Sequence, residues 1–66
     1  MQLISTQETS KKVRALRNKM GWSQERLARQ IDVSLFTVQR WELQLTKPSK
    51  PSQKELSKLF KRAGME

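Results

Sequence analysis

Residues Ser23 to Glu42 divide into two short amphipathic stretches on either side of Ile31-Asp32-Val33-Ser34. In the first, Ser23-Gln24-Glu25-Arg26-Leu27-Ala28-Arg29-Gln30-Ile31, the apolar residues Leu27, Ala28 and Ile31 share one helical face. In the second, Ser34-Leu35-Phe36-Thr37-Val38-Gln39-Arg40-Trp41-Glu42, Val38 and Trp41 do the same. Each stretch opens on a serine whose hydroxyl can accept an orphan amide of the first turn. Two helices joined by three or four residues must cross steeply, with the second presented outward. The rest of the chain reads as two further helices and no strand, so the chain is expected to be all-α.

The flanks supply two more helices. Ser5-Thr6-Gln7-Glu8 has the spacing of a capping box, with Thr9 or Ser10 as alternative caps. Val13, Leu16 and Met20 follow as a narrow apolar stripe on a basic helix, which Gly21 stops by adopting a left-handed conformation without a Cβ clash. Trp22 then reads as a core plug, and Val33 as a buried hinge. Asp32 ends the second helix, since aspartate tolerates the left-handed region better than most residues. After Glu42 the apolar rhythm lapses into the loop composition of Thr46, Lys47, Pro48 and Ser49. Ser52 and Glu55 form a second capping box, preferred here over Ser49 with Pro51 in the first turn. Leu56, Leu59, Phe60 and Ala63 complete a fourth helix that Gly64 ends. The expected fold is one compact four-helix domain over 1–66, with helices about 6–20, 24–31, 35–43 and 53–63 and the paired-helix unit at about 23–42.

At 66 residues the chain is one domain at most, small enough that core burial only narrowly exceeds chain entropy. It holds neither cysteine nor histidine, so disulfides and the usual zinc clusters are excluded as staples. No apolar stretch approaches the roughly 20 residues of a transmembrane helix, nor is there a signal-peptide core. A cytoplasmic location is expected, in a prokaryotic or phage nucleoid setting. Fourteen Lys and Arg against six Asp and Glu give a formal charge of +8. Such an excess points to a polyanion partner or to merely solvated basic faces, and the positions of the charges must decide. A helix presented outward on a basic domain fits a DNA major groove.

The register of these residues resembles the lambda-repressor-like helix-turn-helix family, also called the XRE or Cro/C1 type. The resemblance rests on Gly21-Trp22-Ser23-Gln24-Glu25-Arg26-Leu27-Ala28, Ile31-Asp32-Val33-Ser34, Val38, Trp41-Glu42 and Pro51-Ser52, and covers about Val13 to Phe60. It implies sequence-specific binding to double-stranded DNA, usually to regulate transcription, with the third helix in the major groove. By position it implies that Leu35, Phe36, Thr37, Gln39 and Arg40 face the bases, and that Ser23, Gln24 and Ser34 meet backbone phosphate. Arg17 and Glu42 match a pair that in many relatives ties the first helix to the end of the third. Three departures stand out. Asp32 replaces the frequent turn glycine, Leu43-Gln44 replaces the common glycine after Trp-Glu, and the segment before Pro51 is about three residues longer than usual. Lys47 and Lys50 in that segment are further phosphate candidates. Many relatives carry a fifth helix that forms the dimer contact; with the sequence ending at Glu66, that contact is expected to be missing, weak or made by the fourth helix.

Side-chain chemistry agrees with part of this. Gln39 can pair bidentately with adenine, Arg40 can fork onto guanine O6 and N7, and Leu35 or Phe36 can meet a thymine methyl. For Arg40 the alternatives are a phosphate contact or a solvated side chain; for Phe36 they are core packing or a protein contact. Trp41 shares a phase with Val38 and belongs to the core. Few base contacts per domain imply a homodimer on DNA from a monomer in free solution. A protein-interaction module, such as an antitoxin-type regulator that binds a partner as well as its promoter, is the competing reading. A membrane-surface role for the basic helices fits the turn chemistry poorly, so no membrane partner is expected. With no His, no Cys, no carboxylate pair and no phosphate-binding glycine loop, no catalytic role can be assigned, and neither cofactor nor metal is expected.

Overall fold

The computed structural model describes residues 6–65. Its four helices are α1 (Thr6–Met20), α2 (Gln24–Gln30), α3 (Leu35–Glu42) and α4 (Lys50–Arg62), with no strand among the described residues. Serines cap three of them at the third amide. Ser23 Oγ accepts from the Arg26 amide at 3.0 Å, Ser34 Oγ from Thr37 at 3.1 Å, and Ser49 Oγ from Ser52 at 3.4 Å. The last corrects the expected start of the fourth helix, because Ser49 and not Ser52 is the cap. Pro51 sits comfortably in a first turn, where its missing N–H is not needed. Starting at Lys50 also gains a Gln53 amide bond to the Ser49 carbonyl (2.8 Å) and a Gln53 side-chain bond to the carbonyl of buried Pro48 (3.0 Å). The expected box at Ser5 lies outside the described residues. The alternative caps Thr9 and Ser10 are instead buried inside α1.

All four helices stop the same way. At Gly21, Asp32, Gln44 and Gly64 the backbone turns to φ values of 71°, 59°, 64° and 73°. In each case the next residue's amide bonds back across the last turn, as Trp22 does to Arg17 (2.9 Å), Val33 to Ala28 (3.0 Å), Leu45 to Arg40 (2.9 Å) and Met65 to Phe60 (2.8 Å). This is the Schellman stop, in which orphan carbonyls are satisfied locally and a hydrophobic residue follows the turn. Trp22, Val33 and Met65 pack against the core as that pattern asks, whereas Leu45 stays 63% exposed.

The core is built from every helix: Val13 and Leu16 from α1, Leu27 and Ala28 from α2 with Ile31 after it, Val38 and Trp41 from α3, and Leu56, Leu59 and Phe60 from α4 with Ala63. The apolar phase of α3 faces α1 and α2, against which it packs most extensively. The Lys12 ammonium lies 5.2 Å from the Phe60 ring centroid, a cation–π contact between α1 and α4. None of the helices is long and apolar enough to cross a membrane.

Candidate nucleic-acid interface

The angle at which α3 leaves the body is set at its C-terminal end by a buried carboxylate. Glu42 is 3% exposed. Arg17 grips it bidentately, Nε donating to Oε2 at 2.6 Å and Nη2 to Oε1 at 2.9 Å. Gln24 Nε2 donates to Oε1 at 3.0 Å, and Arg14 Nε lies 3.7 Å from the same oxygen. The Glu42 backbone carbonyl, an orphan of the last turn, accepts from Ser10 Oγ at 2.8 Å and Arg14 Nη2 at 3.2 Å. Arg17 also donates through Nη1 to the Trp22 carbonyl at 3.3 Å, anchoring the connection between α1 and α2. One residue thus joins α1, α2 and α3. Burial alone pushes the Glu42 carboxyl up, but hydrogen bonds from Arg17 and Gln24 and the charges of Arg17 and Arg14 outweigh it, so the group ends below its usual range. The Arg17 guanidinium is raised in turn, first by its hydrogen bond to Glu42, against a smaller opposing effect of burial.

With that end fixed, α3 divides cleanly by face. Val38, Trp41 and Glu42 are buried, while Leu35 and Phe36 are exposed and Thr37, Gln39 and Arg40 are half-buried. The Arg40 guanidinium carbon lies 5.3 Å from the Phe36 ring centroid, one helical turn back. Ser34 and Thr37 hydroxyls meet at 2.9 Å, so Thr37 shares its polar group with the cap. Ser23, Arg26 and Arg29 are exposed together at α2, and Lys47 and Lys50 are exposed in the segment after α3. Lys50, Lys54, Lys58 and Lys61 line a shallow open face of α4 with Pro51, Gln53 and Ser57.

The structure brings Leu35, Phe36, Thr37, Gln39 and Arg40 into one outward surface and places Arg17 on Glu42. It turns Gln24 partly inward: one of the two amide N–H groups expected at phosphate is engaged by Glu42. A buried carboxylate accepts several donors, and Arg17 alone does not fill its lone pairs. Ser10 and Arg14 are absent from the expected site. Their spacing carries the signal, since residues 10, 14 and 17 follow at i, i+4, i+7 and so share the face that meets Glu42.

Two short helices, α2 and α3, joined by a four-residue turn and packed on each other, with the second locked at its C-terminal end, are the arrangement of a helix-turn-helix domain. A helix-turn-helix family model matches residues 13–64, and the chain belongs to that family. No curated protein and no solved structure matches it significantly. Capacity for DNA binding in general follows from the family.

Proposed function

We propose that the protein is a sequence-specific regulator of transcription of the lambda-repressor-like type, with α3 in the major groove of double-stranded DNA. The observation that supports this most is the division of α3, whose buried face is locked by Glu42 while Leu35, Phe36, Thr37, Gln39 and Arg40 share the outer one. These side chains offer amide, guanidinium and apolar groups, which is the chemistry of base edges in that groove. Ser23, the remaining amide of Gln24, Ser34, Lys47 and Lys50 hold phosphate beside it. Two copies bind half-sites one helical turn apart, about 34 Å.

Titration of labelled random duplex at low salt tests the reading, followed by selection of preferred duplexes from a random pool. Binding that weakens steeply with salt and a selected consensus with two-fold symmetry are expected. No binding at low salt refutes it. A second reading, a protein partner bound on the same side, is favoured by one feature: Phe36, Leu43 and Leu45 are each more than 60% exposed. Failure of duplex binding together with a folded domain selects that reading.

A further inference from the structure

Phe36 contributes nothing to the core, at 63% exposed, yet its ring carries the Arg40 guanidinium at 5.3 Å. Among the described residues no hydrogen bond or ion pair engages that guanidinium. Between Asp32 and Lys47 the only charged side chains are Arg40 and Glu42, and Glu42 is buried on Arg17. Arg40, half-buried, is therefore the one charged side chain of α3 that no ion pair engages, and it lies against the Phe36 ring. Stacking uses one face of a guanidinium. A guanidinium that stacks in this way keeps its in-plane N–H fork and its second face for a ligand.

We propose that Phe36 and Arg40 form a single reading unit for a 5-methylpyrimidine followed on the same strand by guanine, that is, TpG or methylated CpG. The proposal rests on α3 being the groove helix. Guanine presents O6 and N7 to the fork of Arg40. The 5-methyl group of the base on its 5′ side projects into the major groove beside that edge. There it covers the open face of the guanidinium, while the Phe36 ring covers the other. Both faces of the cation are then shielded from water while all the polar contacts stay in its plane. A pyrimidine without the methyl group leaves one face wet. The ring also limits the rotamers of Arg40, so the fork is ordered before it meets the base.

Selection by the full chain from three random duplex pools tests this: one with thymine, one with uracil replacing thymine, and one with uracil plus 5-methylcytosine replacing cytosine. The first pool should enrich TpG, the second should lose that enrichment, and the third should enrich CpG instead. On the best duplex from the first pool, exchanging the one thymine for uracil should weaken binding about fourfold, the worth of one buried methyl at about 0.8 kcal/mol and 1.4 kcal/mol per decade. Phe36→Ala, at an exposed position and checked for helicity, should reduce that penalty toward one while guanine stays preferred. Selected sites without a pyrimidine–guanine step, or the same preference in the uracil pool, overturn the proposal alone. Retention of no duplex from any pool overturns the groove reading with it.

Discussion

At the residue scale, Glu42 governs both the stability of the domain and the aim of its outer helix. Removing one partner of a buried pair costs about 3–5 kcal/mol, because the survivor keeps its desolvation penalty. Arg17→Met strands a buried carboxylate with Gln24 and Arg14 as its remaining partners, so it should approach that figure in urea denaturation. Glu42→Gln should cost less, since a neutral amide still accepts from Arg17 and carries no charge to bury. The carboxyl is held below its unfolded value of about 4.3. In that window the unfolded chain binds the extra proton, so stability rises with pH. The contribution is fully present above the unfolded value and is lost as pH falls through the folded one. Acid unfolding followed by tryptophan fluorescence should show this loss, and Glu42→Gln should abolish it. In the proposed groove reading Arg40 acts on recognition instead. Arg40→Ala should relax preference at the guanine, at about 1–3 kcal/mol, and at the pyrimidine before it, whereas Lys47→Ala or Lys50→Ala should weaken all duplexes alike and lower the salt slope by about one each. Loss spread evenly over sequences for Arg40→Ala makes it a phosphate contact.

Among the elements, the two helix stops that lack glycine hold stored strain. A non-glycine residue in the left-handed region costs roughly 1–2 kcal/mol, less for aspartate, which tolerates it. Glycine recovers this but loosens the unfolded chain by about 0.4–1 kcal/mol. Gln44→Gly should therefore stabilise by about 0.5 kcal/mol and raise Tm by a few degrees, while Asp32→Gly should be close to neutral. A Tm unchanged or lowered by Gln44→Gly contradicts this account. The same stops explain how far the fold could be read in advance. Gly21, Gly64 and Asp32 announce themselves, and the apolar phases of Leu27, Ala28, Ile31, Val38 and Trp41 lead directly to the buried faces. Gln44 has no such signature: its turn follows from Ser10 and Arg14 seizing the carbonyl of Glu42, a contact across 32 and 28 residues. Local spacing favours Ser52, whose box with Glu55 is complete, and it misleads because the bonds of Gln53 to the carbonyls of Pro48 and Ser49 start the helix at Lys50. In the candidate site the outward phase of Phe36, Gln39 and Arg40 was legible. The stacking of Arg40 on Phe36 and the inward turn of Gln24 were not, because both depend on side-chain packing in three dimensions.

For the whole molecule the question is how many copies one site holds. The Cα envelope of the described residues measures 27 × 25 × 19 Å. Each of these Cα extents is smaller than the separation of two copies centred one helical turn apart, about 34 Å, so the pair can sit side by side. Half a turn of inserted DNA rotates the second copy to the opposite face and separates the pair. If each copy neutralises about five phosphates, one half-site gives a log–log salt slope of about −4.5 and a two-copy site about −9. Contact between copies through the uncharged Leu43-Gln44-Leu45-Thr46 segment adds affinity but releases no counterions, so it leaves that doubling intact. Salt titrations on duplexes carrying one half-site, two in phase, and two out of phase should give a slope that doubles for both paired duplexes. The binding curve should steepen only for the in-phase one. A slope that stays near the single-site value when a second half-site is present means that one copy occupies the DNA, and that its specificity comes from α3 and the flanking lysines of a single domain.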